Sequence, residues 1–129
     1  MIERKSIASP KAPKAIGPYS QAILAGGWLH CSGQIGLDPA TGELVTGGVR
    51  AQTARAMANL SAVLEQAGAS WAQVVKCNVY LVDMADFGAM NEVYAEAFAR
   101  GPAPARATVA VHQLPRGALV EIDCLAQLA

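Results

Sequence analysis

The 129-residue sequence sets ten Lys and Arg against ten Asp and Glu, for a formal charge of zero, and is 53% hydrophobic but only 16% charged. That composition excludes a disordered chain, and no run approaches the ~18 apolar residues of a spanning helix. Neutrality argues against a dedicated nucleic-acid binder and favours self-association, and the length predicts one domain over residues 1–129 that buries roughly two-thirds of its unfolded surface.

Basic residues near the N-terminus are followed by no apolar stretch, so no signal peptide is expected and the protein is expected to be cytoplasmic. A short edge strand is predicted over 2–6. Residues 6–19 hold three prolines and one glycine and read as irregular. Gly26-Gly27 separates two apolar-rich runs, 20–25 and 28–34, and glycine tolerates the positive φ of a primed hairpin turn. Residues 36–48 form a turn-rich connection.

Val49, Thr53, Met57, Leu60, Val63/Leu64 and Ala67 recur at helical steps, predicting a helix over 49–67 that Gly68 stops. Val75, Cys77, Val79 and Leu81 alternate with Lys76, Asn78, Tyr80 and Val82, predicting a strand over 74–82. A second helix starts near Asp83, with Asp83 or Asp86 as its N-cap. Its apolar stripe is Phe87, Met90, Val93/Tyr94 and Ala97/Phe98, and Gly101-Pro102 ends it. Two last strands are predicted over 106–111 and 118–126. Ala107, Val109 and Val111 share one face of the first, with Arg106, Thr108 and Ala110 on the other. Val120, Ile122 and Cys124 of the second oppose Glu121 and Asp123. The order β-β-β-α-β-α-β-β implies an α+β sandwich of two helices over one sheet. Its other sheet face then needs a cover that a two-layer monomer cannot supply.

The three cysteines, Cys31, Cys77 and Cys124, lie more than 40 residues apart, with no C-x-x-C and no paired Cys/His spacing. They indicate neither a zinc site nor a disulfide framework, but small buried hydrophobes in a reducing compartment. Dinucleotide, phosphate-loop and nucleophile-elbow motifs are absent. His30 and His112 fall in strand runs and read as structural. Two charges are more informative. Glu121 interrupts an apolar strand, so it lies either on a solvated face or in a site. Arg106 follows the stiff Pro102-Ala103-Pro104 approach, and a guanidinium of fixed direction can bind a small carboxylate through two parallel hydrogen bonds. By pattern alone, a surface role for Arg106 remains open.

Four elements in order carry a resemblance. Ile16-Gly17-Pro18-Tyr19-Ser20-Gln21, Ser32-Gly33-Gln34-Ile35 with Pro39-Ala40-Thr41-Gly42-Glu43, Asp86-Phe87 with Asn91 and Tyr94, and Pro104-Ala105-Arg106 through Leu114-Pro115 and Val120-Glu121-Ile122 resemble the reactive-intermediate deaminase (Rid, or YjgF) family over residues 12–126. The resemblance implies a mixed six-stranded sheet backed by two helices, similar to the small trimeric chorismate mutases. It implies a homotrimer with sites between subunits, and hydrolysis of small enamine and imine carboxylic acids such as 2-aminoacrylate and 2-iminopropionate.

Carried over residue by residue, it makes Arg106 the carboxylate binder and Glu121 the base that activates water. Backbone N–H groups near Gly33 and Thr108 would hold negative charge, and Ser32 would supply a polar contact. Tyr19 and Asn91 would enter the cleft from the neighbouring subunit. No cofactor and no metal are implied. Three departures bear on specificity: Thr108 stands where the family often has cysteine, His112 where it prefers a small or basic residue, and Gly36 where proline is common, which predicts a looser rim after Gln34. Alternative activities are a 2-aminomuconate-type deaminase, an endoribonuclease or translation inhibitor, and a non-catalytic small-acid binder. A net-neutral chain makes nucleic acid an unlikely partner, and no membrane partner is expected.

Overall fold

The computed structural model describes residues 3–128. Six strands, β1 (Lys5–Ile7), β2 (Ala22–Ala25), β3 (Trp28–Gln34), β4 (Val74–Leu81), β5 (Ala105–Ala110) and β6 (Val120–Gln127), form one sheet in the order β1-β2-β3-β6-β4-β5. Every neighbouring pair is antiparallel except β4 and β5. The helices α1 (Gly48–Gln66) and α2 (Phe87–Ala95) make the two long crossovers, as parallel strands require. The mixed sheet with two helices is the architecture expected.

Local chemistry accounts for most boundaries. Gly26 and Gly27 take φ of 59° and 80° in a two-residue turn that pairs Ala25 with Trp28. Gly68, at φ 80°, ends α1 as its N–H reaches the Glu65 carbonyl at 2.9 Å. Of the two candidate caps, Asp83 accepts from the Ala85 N–H at 2.9 Å, whereas the Asp86 side chain caps nothing. The second helix is shorter than its apolar stripe, with single 3-10 turns at Met84–Asp86 and Glu96–Phe98 on either side of α2.

β2 starts two residues later than the apolar run, although the Gln21 carbonyl still accepts from the Ser32 N–H of β3 at 2.9 Å, and the Gln21 side chain turns to the preceding segment. That buried side chain accepts from the Ser9 N–H at 2.6 Å and donates to the Ser9 and Pro13 carbonyls, tying down the irregular segment. β1 begins at Lys5, and residue 2 of its expected span lies outside the described residues.

One core lies between the sheet and the helices. Met57, Leu60, Val63 and Leu64 of α1 and Met90 and Tyr94 of α2 pack on Leu29, Cys77, Val79, Leu81, Val120 and Ile122. Each such aliphatic side chain contributes about 1.5–3 kcal/mol. The β4 alternation holds from Cys77 to Leu81 but not before: a register shift between Val74 and Lys76 buries Val74 and leaves Val75 40% exposed. The three cysteines are free and buried side by side, Cys31 facing Cys124 and Cys124 facing Cys77.

The rim after Gln34 is tight, contrary to the expectation from the missing proline. A Cβ on Gly36 would come within 2.7 Å of Gln52 Cα, so glycine lets the loop lie directly on α1. The fully buried Asn59 clamps the same loop through its Nδ2, which donates to the Ile35 and Leu37 carbonyls at 3.2 and 3.0 Å.

Candidate active site

Parallel pairing with β4 decides which face of β5 turns inward. Arg106 lies beside Cys77 and Thr108 beside Val79, on the helix side, while the apolar residues Ala107 and Val109 are exposed on the other face. The Arg106 guanidinium is held over two rings of the α2 helix, with Cζ 4.8 Å from the Tyr94 centroid and 5.6 Å from that of Phe87. Among the described residues no carboxylate pairs with it, since the ion pair found is Arg50 with Glu92.

Arg106 borders an open cleft of about 490 Å³, lined with Asn91, Tyr94, Ala95, Phe98 and Pro104 of the same chain. Asn91 therefore lies beside Arg106 within one chain. The cleft region holds unpartnered polar atoms: Asn91 Oδ1, Tyr94 Oη and Thr108 Oγ1 are buried with no protein hydrogen bond. Burial, followed by the adjacent Cys77 thiol, pushes the Tyr94 hydroxyl well above its usual range, so it stays protonated.

Glu121 occupies the opposite face of the sheet. Its neighbours Val120 and Ile122 enter the core, so Glu121 projects from the side without helices, across from Tyr80. It is half-buried, and burial first, then the charge of Asp123, raises its carboxyl above the ordinary glutamate range. Its carboxyl lies directly over Gly33, where a Cβ would come within 2.8 Å of Cδ. Ser32, next along β3, donates its hydroxyl to the Ser20 carbonyl at 2.6 Å, which binds the Tyr19-Ser20 segment to the sheet. Tyr19 itself is 53% exposed.

The expected residues thus fall into two groups. Arg106, Thr108 and Asn91 gather on the helix side. Glu121, Gly33, Ser32 and the Tyr19 loop gather toward the open face. Within one chain the sheet separates them. Phe87 and Tyr94 were legible as members of an apolar helix stripe and of one family element, and their place beneath Arg106 needed the β5 register. Asn78, Tyr80 and Asp123 around Glu121 were visible as the polar half of two alternating strands, a signal that says nothing about function.

Comparison with known proteins agrees with this architecture. A family described as Endoribonuclease L-PSP matches residues 9–128. The chain is 55% identical over 127 residues to Protein DfrA of Myxococcus xanthus, covering 97% of this chain and 96% of that protein. It is 50% identical over 125 residues to the 2-iminobutanoate/2-iminopropanoate deaminase of Mus musculus, covering 97% and 92%. Among solved structures, E. coli TdcF with bound serine superposes with a TM-score of 0.92 at 35% identity, covering 97% of this chain and 99% of that one. With nearly its full length matched, the chain belongs to the Endoribonuclease L-PSP family, the Rid (YjgF) family that its four sequence elements resemble.

Proposed function

We propose that the chain is a cofactor-independent deaminase that hydrolyses small enamine and imine carboxylic acids to 2-keto acids and ammonia, acting as a homotrimer. One observation carries the reading. An unpaired guanidinium, held by aromatic rings at a small cleft, lies on one face of the sheet, and a carboxylate of raised basicity lies on the other. A cation of fixed direction binds a carboxylate, and a glutamate that retains affinity for a proton activates water. Association that sets the open face of one copy against the Arg106 cleft of the next brings both to one ligand. It also covers the sheet face that the helices leave bare.

In this reaction an enamine first tautomerises to its imine. Arg106 grips the carboxylate through two N–H groups and orients the C=N carbon. Glu121 of the adjacent copy takes a proton from water as the oxygen attacks that carbon, giving a carbinolamine. Proton return to nitrogen and collapse break the C–N bond, releasing ammonia and the 2-keto acid. The β5 strand lies at the sheet edge, which leaves half its N–H groups free for developing charge beside Thr108. The deaminase name of the mouse relative and the serine bound by TdcF support a small amino-acid-like ligand.

The test generates 2-aminoacrylate in place with a pyridoxal-phosphate dehydratase and follows loss of the imine. The expected result is acceleration by the protein, abolished by Arg106→Ala and strongly reduced by Glu121→Gln. Equal rates with wild type and Arg106→Ala would overturn the assignment.

A further inference from the structure

Around Glu121 the open sheet face carries a polar cluster that the reaction above does not use. The register sets Tyr80 across from Glu121 and Asn78 across from Asp123. Asn78 Nδ2 donates to Asp123 Oδ1 at 3.0 Å, and the Tyr80 hydroxyl donates to Oδ2 at 3.2 Å. Each oxygen of Asp123 therefore has its own donor. Among the described residues, Glu121 has no side-chain hydrogen bond, only the close approach of Gly33. Two donors thus fix the Asp123 carboxylate in place on the strand that carries Glu121.

We propose that Asp123 is a positioning residue for Glu121. Pinned by Asn78 and Tyr80, it holds negative charge at a fixed place two residues along the same strand. That charge strengthens Glu121 as the base that takes the proton of water. This inference rests on the deaminase reading.

Other groups on this face leave that influence intact. Lys76 on β4 and His30 on β3 both lie opposite Leu125, farther along, and neither forms an ion pair with Asp123 or Glu121. β5 presents the uncharged Ala107 and Val109 there. Burial of Glu121 acts in the same direction as Asp123. In the proposed assembly Arg106 of the next copy acts in the opposite direction, equally in wild type and in Asp123→Asn, so the difference between them remains.

The pH profile of kcat/KM separates this role from a merely structural one. In wild type the rate falls as Glu121 takes up its proton. Asp123→Asn removes the neighbouring charge, so the acid limb is expected about one pH unit lower, with a plateau roughly three- to tenfold below wild type. Tyr80→Phe should move the limb the same way by less, and Asp123→Glu should restore it. An acid limb unmoved in Asp123→Asn overturns the proposal. Carboxyl NMR titration reads the same point without kinetics: the Glu121 midpoint is expected about one pH unit lower in Asp123→Asn than in wild type, and an unmoved midpoint overturns the proposal. Failure of the deaminase reading is separate, since it appears as absent imine hydrolysis in the wild type.

Discussion

Arg106 is oriented by aromatic rings and not by a carboxylate, so its donors stay free and its charge is not neutralised. Glu121 is the converse, a carboxylate with no donor, kept basic by burial and by Asp123. Its position depends on Gly33 having no side chain. Gly33→Ala should therefore displace the carboxyl and lower kcat by about 10- to 100-fold while the melting temperature changes little, as steady-state kinetics and a thermal melt would measure. Glu121 also has a stability signature. A carboxyl whose pKa is raised on folding binds its proton more tightly in the folded state, so its contribution to stability falls as pH rises from the unfolded value through the folded one. Glu121→Gln should thus raise the melting temperature at pH 7, and the gain should vanish below about pH 4, the unfolded range for glutamate. Melts at the two pH values check this.

The elements themselves were largely readable from local chemistry. Helical spacing from Thr53 to Leu64, the Gly26-Gly27 turn and the Gly68 stop each act within a few residues, and each appears where the pattern puts it. Errors arose where a distant partner decided. The Gln21 side chain binds Ser9 and Pro13 across the irregular segment, and the register shift beside Val75 lies in the long-range pairing of β4 with β6. Gly36 is the sharpest case. Missing proline pointed to looseness, yet the glycine allows contact with Gln52 that any Cβ would break. Gly36→Ala should destabilise the protein by about 1–3 kcal/mol, read as a lower midpoint in denaturant titration.

At the scale of the molecule, the sheet is a partition. Arg106 and Glu121 are 15 residues apart in sequence yet project from opposite faces, because Arg106 pairs with the inward-facing Cys77 and Glu121 with Tyr80 on the other face of β4. If the proposed assembly supplies one from each of two copies, two inactive variants must complement each other. Arg106→Ala and Glu121→Gln chains, coexpressed in equal amounts, should recover about one quarter of wild-type activity, since one site in four then draws both intact residues. Mixing the separately assembled variants should restore nothing until subunits exchange. Sedimentation or size-exclusion chromatography of the wild type checks the trimer itself.

The fold class, the order of its elements and the candidate site residues could all be read along the chain, because side-chain periodicity, turn chemistry and short motifs operate locally. The division of those residues between two faces could not. It depends on strand order and on the parallel register of β5, which are set by long-range pairing and packing against the helices. The same packing converts a neutral, apolar composition into a bare sheet face that carries two carboxylates, Glu121 and Asp123.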